Sequence, residues 1–300
     1  MPLDRRPLYE VWHRFRRPRL GRRFGPVDIV HATGGVIPPP GSAALVVTVH
    51  DLAFLHRPAH FTRHGVAFMT RSLELAMAEA AVIMVPSETT ARDCVEYGID
   101  SDRLAVVPWG AEPVIVTAAD RERVRASYRL PQEFVLWVGT AEPRKNLARL
   151  VEAMAPVDAP LVLAGGPGWG VEVAEITAAP DVSHLGQIPP ADLPTLLDLA
   201  TVFVLPSLLE GFGMPVLEAM AQGTAVVTSR GTSTEEIVGP EGIVVDPHDT
   251  EALSEAIATL LSDAPARAAA AEAGLARAER MTWDATAALI EAAYRRALDA

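Results

Sequence analysis

The feature that most limits what this chain can become is a series of short, unbroken apolar runs rich in Val, Ile and Leu, each closed by a turn residue. From residue 27 they read VDIVH (27–31), LVVTVH (45–50), AVIMVP (81–86) and LAVVP (104–108). Between them lie HGVAFMTRSLELAMAEA and SETTARDCVEYG, which read as helices, the second with Ser87 placed to cap it and Gly98 to end it. A β-branched run with no polar alternation has both faces buried, and such strands alternating with helices form a parallel sheet covered on both sides.

A seam follows at WGAEPVIVTA (109–118), after which the alternation starts afresh with FVLWVG (134–139), PLVLAGG (160–166), VSHLG (182–186), TVFVLP (201–206), TAVVTS (224–229) and GIVVD (242–246). Six strands make a complete doubly wound domain; the four before the seam make a short one. From Thr250 the chain is Ala-rich and helical by propensity. A length of 300 residues exceeds what one core usually serves. The expected division is residues 1–115, residues 116–282, and a last helix over 283–300 packing back towards the N-terminal domain.

Charge and cysteine content narrow the function classes. Cys94 is the only cysteine, which excludes an internal disulfide framework and a multi-cysteine metal cage; within ETTARDCVEYG it reads as a small buried apolar residue. A net charge of −12 argues against general nucleic-acid binding, yet residues 1 to 24 hold eight arginines against Asp4 and Glu10, about +6, leaving about −18 for the rest. Interleaved with Tyr9, Trp12, Phe15 and Phe24, these arginines allow two readings. One is a helix whose aromatic side packs on the domain; the other is peripheral contact with an anionic membrane surface. No apolar run reaches the roughly 18 to 20 residues of a membrane helix, and the N-terminus lacks a signal peptide's apolar core. The expected location is the cytoplasm, with the inner face of the membrane as the variant.

In an open α/β sheet, ligands bind beyond the carboxyl ends of strands, where helix N-termini point outward. Two stretches have that location. LPSLLEGFGMPVLEAMAQG (205–223) is strand end, Gly-Phe-Gly turn and helix, with Pro215 read at the first helical position. FVLWVGTAEPRKNLARLVEAM is strand, turn and helix again, with Asn146 read as the N-cap and Arg144 and Lys145 just before it. Each cation can give a diphosphate a charge-assisted hydrogen bond of about 1.5 to 3 kcal/mol. Glu210 and Glu218 bracket the glycine turn, and carboxylates accept well from vicinal hydroxyls, so the anion is expected to carry sugars. Asp100-Ser-Asp102, an Asp-x-Asp pair, sits between a helix end and a strand and reads as a turn.

These residues carry a family resemblance. EGFGMPVLEAMAQGTAVVTS resembles the signature of nucleotide-sugar-dependent glycosyltransferases of family 4, and TVHDLAF (48–54), VPSETTARDCVEYGIDSDRLAVVPWGAE (85–112), VGTAEPRKNLARLVEA (138–153) and HLGQIPPADLPTLLDLATVFVLPS (184–207) agree in order. The resemblance covers residues 27 to 262 and implies the GT-B fold: two Rossmann-like doubly wound parallel-sheet domains facing across a cleft. It implies a hexosyltransferase that is retaining and metal-independent, uses no cofactor, and takes a GDP- or UDP-linked sugar to a glycan or lipid-linked acceptor in polysaccharide biosynthesis. The form GT-x-EPRKN is similar to that of mannosyltransferases.

Carried over by position, Arg144 and Lys145 match the pair on the donor diphosphate, Glu210 the acid on the transferred sugar, and Glu218 the acid on the ribose. Gly211, Phe212, Gly213, Met214 and Pro215 match the turn beneath sugar and phosphate; Gly139 and Thr140 match the strand end beside it. Gln187 and Ile188 match the segment whose backbone meets the base, and His50 matches a histidine on the donor sugar's reacting side. Two departures stand out. Many relatives have arginine where this chain has Thr140, and relatives open with a strand, a glycine-rich loop and further elements before the counterpart of VDIVH. The N-terminal domain is therefore expected to be incomplete, and a non-catalytic nucleotide-sugar binder is the alternative function.

Overall fold

The computed structural model describes residues 5–20, 25–171, 173–179 and 181–300, the side chains of Arg5 and Arg6 excepted. Phe24, Asp4, Arg22 and Arg23 of the arginine-rich segment lie outside the described residues. The chain divides into two compact units, one formed by residues 1–108 with 284–300 and the other by Trp109–Trp283.

In unit 1, β1 (Ile29–Ala32), β2 (Ala44–Thr48), β3 (Val82–Val85) and β4 (Leu104–Val106) form a parallel sheet in sequential order. Helix α1 (Arg5–Phe15) precedes them, α2 (Arg63–Glu79) crosses from β2 to β3, and α3 (Glu88–Glu96) from β3 to β4. Successive strand residues point to opposite faces. Leu45, Val47, Ile83 and Val85 accordingly pack on one side with Leu73 and Ala76 of α2 and Cys94 of α3. Burial, then the charge of Asp93, pushes the Cys94 thiol up to about 12, so it behaves as an apolar side chain. Ser87 caps α3 by accepting from Thr90 N at 3.0 Å, worth about 1 kcal/mol. Asp100 Oδ1 accepts from Asp102 N at 3.0 Å, so the Asp-x-Asp pair is a turn.

The arginine-rich segment follows the first of the two readings, a helix packed by its aromatic side with arginines left in water. Trp12 and His13 of α1 are buried, with Trp12 Nε1 donating to Pro18 O (3.0 Å) and the His13 ring stacked on Phe68 at 4.3 Å. Arg16 turns inward to Glu79 and to the Ile37 carbonyl. Phe15, Arg14, Arg17 and Arg19 face solvent, Arg14 lying over the Phe15 ring.

In unit 2, β5 (Val135–Val138), β6 (Leu161–Ala164), β7 (Val182–His184), β8 (Val202–Leu205), β9 (Val226–Ser229) and β10 (Ile243–Val245) form an all-parallel sheet ordered β10-β9-β8-β5-β6-β7. The chain builds outward from β5 through β6 to β7, then returns to pair β8 with the other side of β5, Leu136 against Phe203. Strand order reverses between β5 and β8, so outward-running connections leave a crevice at their carboxyl ends. The intervening helices are α4 (Ala118–Tyr128), α5 (Leu147–Met154), α6 (Leu193–Leu199), α7 (Met214–Ala221), α8 (Ser233–Val238), α9 (Thr250–Ser262) and α10 (Ala264–Ala278). Leu136, Trp137, Leu163 and Phe203 from the strands, Phe134 just before β5 and Leu150 from α5 are fully buried in one continuous core.

The last helix, α11 (Trp283–Leu298), belongs from Asp284 onward to unit 1. Its Ile290, Ala293, Tyr294 and Ala297 cover the second face of the first sheet, against Val46, Val82 and Met84, the alternate residues of β2 and β3. Among the described residues no helix is long and apolar enough to cross a membrane.

Candidate active site

The two stretches singled out in the sequence meet at the switch point. After β5, Gly139 and Thr140 lead into a single 3-10 turn, Pro143–Lys145, and then α5. After β8, residues 206–213 lead into α7. Because β5 and β8 are neighbours, the loops lie side by side: Leu208 N donates to Arg144 O at 2.7 Å, and Asn146 Nδ2 donates to Pro206 O at 3.0 Å and to Pro247 O at 2.7 Å. Asn146 stands at the N-cap of α5 as expected, though its side chain makes no capping hydrogen bond to the helix. Its backbone is left-handed (φ +57°), a region Asn tolerates, and its amide is drawn instead to two carbonyls that would otherwise lack a donor. Pro215 is likewise the second residue of α7, not the first, with Gly213 at the cap in a left-handed conformation (φ +107°). A missing N–H costs nothing in the first turn, where the helix leaves its donors open.

Glu210 is the centre of the constellation. Its carboxylate accepts from Lys145 Nζ (2.6 Å) and Ser207 Oγ (2.7 Å) through Oε1, and from Arg144 Nη1 (2.8 Å) through Oε2. Glu142 Oε2 accepts from Arg144 Nε at 2.8 Å. Glu142, Lys145 and Glu210 are all buried. Burial pushes the Glu210 carboxyl up, but the charges of Lys145 and Arg144 and the hydrogen bonds from Lys145 and Ser207 outweigh it and hold it below the usual glutamate range. Two acids and two cations thus neutralise one another at the sheet edge. An entering dianion meets two cations that already have partners, so it either displaces Glu210 from them or joins it.

The turn beneath is held by a buried set of hydroxyls. Ser233 Oγ, at the start of α8, lies 2.8 Å from both Glu210 O and Phe212 O. One hydroxyl thus holds two carbonyls of the turn and fixes its backbone. A Cβ on Gly213 would press on the Thr234 methyl, so this glycine is required by close approach as well as by backbone angle. Thr234 is in turn hydrogen bonded to Thr228 and Thr232.

The remaining predicted residues fall in three places. Glu218 is half-buried on α7, and burial raises its carboxyl above the usual range. Met214 and Pro215 are half-buried at the start of the same helix. Gln187 is exposed and Ile188 half-buried after β7; their loop is tied to the loop after β6 by Gly165 N donating to Gly186 O at 2.8 Å. His50 belongs to unit 1, after β2. Its Nε2 is 2.7 Å from Thr33 O; a carbonyl only accepts, so Nε2 is the donor. Arg144, Lys145 and Glu210 are therefore brought into direct contact at the start of the turn; Gln187 and Ile188 stand two strands from β5 on the same sheet.

Reading the sequence passed over Glu142, Ser207 and Ser233. Glu142 and Ser207 had a signal, each lying two or three residues from a singled-out charge, while Ser233 is 23 residues from Glu210 and had none. Among the described residues no group of three or more His, Cys, Asp or Glu side chains is placed to hold a metal ion.

Two parallel α/β sheets, the second with its polar constellation at the switch point, define the class: a GT-B glycosyltransferase fold. Sucrose-phosphate synthase from Thermosynechococcus elongatus superimposes with a TM-score of 0.77 at 24% identity, over 92% of this chain and 74% of that one. Anabaena HepE, solved in complex with UDP-glucose, gives 0.75 at 20% identity, over 88% and 78%. The chain belongs to the family of glycosyl transferases group 1, whose model matches residues 120–277; residues 1–133 match the glycosyltransferase family 4 model. O-antigen chain mannosyltransferase B of Escherichia coli is 34% identical over 254 residues, 80% of this chain and 67% of that protein. D-inositol 3-phosphate glycosyltransferase of Acidothermus cellulolyticus is 34% identical over 245 residues, 74% and 54%. The serotype-specific mannosyltransferase WbdA of Escherichia coli is 31% identical over 249 residues, of which this chain spans only 30%.

Proposed function

We propose that this glycosyltransferase moves a hexose, mannose first among the candidates, from a GDP- or UDP-linked donor to a glycan or lipid-linked acceptor of a polysaccharide, with retention of anomeric configuration and without a metal ion. The observation that carries the reading is the buried Glu210 carboxylate clasped by Arg144 and Lys145 at the β5/β8 switch point. In that arrangement the bond from the sugar's anomeric carbon to the diphosphate oxygen breaks as the acceptor oxygen bonds the same face of that carbon. The acceptor proton passes to the departing phosphate oxygen. Charge accumulates on the leaving diphosphate, and Arg144, Lys145 and the start of α7 are the fixed positive groups that stabilise it. Glu210 takes hydroxyls of the transferred sugar and Glu218 those of the ribose; Gly139, Thr140 and the turn from Gly211 to Pro215 form the floor; the backbone at Gln187 and Ile188 meets the base. His50 is assigned to catalysis through its motif, TVHDL.

The identity of the sugar draws support from the 34% identical O-antigen chain mannosyltransferase B. The reading places the protein in the cytoplasm, with exposed Phe15, Arg14, Arg17 and Arg19 against the anionic inner face of the membrane, where a lipid-linked acceptor resides. The test is a panel of UDP-, GDP- and ADP-hexoses assayed for release of nucleoside diphosphate, with the anomer of any product read by NMR. Release from one donor, abolished in Lys145→Ala and yielding the donor's own anomeric configuration, is expected. Donor binding with no release from any donor would leave a non-catalytic nucleotide-sugar binder instead.

A further inference from the structure

The Gly-Phe-Gly turn before α7 is held from two sides. Ser233 Oγ holds the Glu210 and Phe212 carbonyls, which fixes backbone. Phe212, the one side chain between Gly211 and Gly213, is buried with its ring centroid 5.3 Å from that of Trp109 and the two planes inclined at 55°. That separation falls within the roughly 4.5 to 7 Å at which aromatic rings attract one another. Glycine on either side gives the turn little stiffness of its own, so the ring is the handle by which the rest of unit 2 sets it.

Trp109 opens the segment WGAEPV (109–114), which has no helix or strand of its own and is pinned along its length. At its start the half-buried Trp109 sits on Phe212, two residues before α7 begins. In the middle Ala111 N donates to Met281 O at 2.9 Å; Met281 follows α10, the helix whose Gly274 faces Met220 of α7. At its end Val114 is paired with Gln222, the C-cap of α7. Oriented by its partners, the Gln222 amide donates from Nε2 to Val114 O (3.1 Å) and accepts through Oε1 from Val114 N (2.7 Å). The eight residues of α7 rise about 12 Å, and five chain steps reach up to about 17 Å, so the segment is long enough to run the length of the helix. It is a strap along the element that has the donor turn at its start and Glu218 within it.

We infer that Trp109 is a positioning residue for donor binding, an inference that rests on the nucleotide-sugar reading above. Glu210 and Phe212 share the Ser233 hydroxyl through their carbonyls, so a ring free to swing carries with it the backbone that presents the Glu210 carboxylate. Trp109 removes that freedom. It acts through Phe212, and its contribution is to the shape of the turn, whereas Arg144 and Lys145 on the loop after β5 contribute charge.

The experiment measures binding of UDP-glucose, GDP-mannose, UDP and GDP to the full chain by calorimetry, with the thermal unfolding midpoint of each variant beside it. Trp109→Leu and Trp109→Met keep apolar bulk and remove the ring pair; Trp109→Phe keeps a ring; Phe212→Leu, the double variant Trp109→Leu with Phe212→Leu, and Lys145→Ala complete the set. Expected in Trp109→Leu and Trp109→Met is a loss of about threefold to tenfold in affinity for whichever ligand the parent binds best, the scale of an aromatic pair, with most of it restored in Trp109→Phe. The double variant loses no more than Phe212→Leu alone, because Trp109 acts through that ring. Parent-like affinity in Trp109→Leu and Trp109→Met, with Lys145→Ala impaired, overturns the inference and leaves the donor reading standing, whatever the midpoints do. Losses that add in the double variant do the same, as does a Trp109→Phe no better than Trp109→Leu. A parent that binds none of the four ligands overturns the donor reading and this inference together.

Discussion

Replacing Lys145 by methionine keeps the aliphatic stem and removes the ammonium that sits 2.6 Å from Glu210 Oε1. Deleting one partner of a buried ion pair costs about 3 to 5 kcal/mol, because the other charge is left without its counter-ion. Glu210 keeps Arg144 and Ser207, two of its three donors, which places the expected loss at the low end, about 3 kcal/mol. Glu210→Gln alone leaves the Lys145 ammonium buried and costs a similar amount. The double variant strands neither charge, so it is expected to be more stable than the sum of the two singles by at least about 1.5 kcal/mol. The assay is chemical denaturation of all four chains at pH 7 and again near pH 4. Glu210 has a folded pKa below its usual 4.5, so the stability it contributes is present above that value and is lost as pH falls through the folded one. The penalty of Lys145→Met must therefore shrink on acidification, since a protonated Glu210 no longer needs the ammonium. Nucleoside diphosphate binding is not rescued in the double variant, because the diphosphate still lacks its cation. Singles that add to within about 0.5 kcal/mol, or a penalty independent of pH, refute the account of a mutually neutralising pair.

Glu218 titrates in the other direction: burial raises its folded pKa, so its ionised form is disfavoured and folding stability falls as pH rises through that value. If Glu218 holds the ribose as proposed, donor affinity is expected to decline on acidification at a higher pH than an exposed glutamate would give, and Glu218→Gln to bind more weakly with that decline absent; calorimetry across pH checks both. Gly213→Ala, at φ +107° and against the Thr234 methyl, should lose about 1 to 3 kcal/mol of stability, with Thr234→Ser recovering only the steric part, since the backbone strain stays. Ser233→Ala removes the hydroxyl shared by the Glu210 and Phe212 carbonyls and should cost about 1 to 3 kcal/mol together with donor affinity; an unchanged unfolding midpoint would mean the clamp is idle.

The strands were legible because each is an unbroken β-branched run whose burial on both faces leaves no room for alternation, as VIMV of β3 illustrates. The alternate residues of that strand pack against different helices, and a local pattern cannot tell which helix that is: the second face of the first sheet is covered by a helix some 200 residues downstream. In the site, Arg144, Lys145 and Glu210 were each visible as charges at strand ends. That they pair depends on β8 returning to lie beside β5, a matter of topology that a separation of 65 residues does not encode. The position of Asn146 at the N-cap was legible, but not where its side chain goes, for a related reason. A cap is a local choice, and here two carbonyls from distant strand ends claimed the side chain first.

The crossings between units have a consequence for how such a chain can be assembled. The backbone of Gly110 lies so close to that of Thr282 and Trp283 that no side chain fits between them, and Ala111 N donates to Met281 O at 2.9 Å. A few residues away, Thr286 Oγ1 donates to Pro108 O at 2.8 Å, so unit 1 also brings its cut ends together. Residues 109–283 thus form an insertion in the chain of the other unit, leaving it after Pro108 and returning at Asp284, with neighbouring ends. A recombinant exchanging that segment for a relative's must therefore keep glycine at position 110, where the two chain ends of the segment touch.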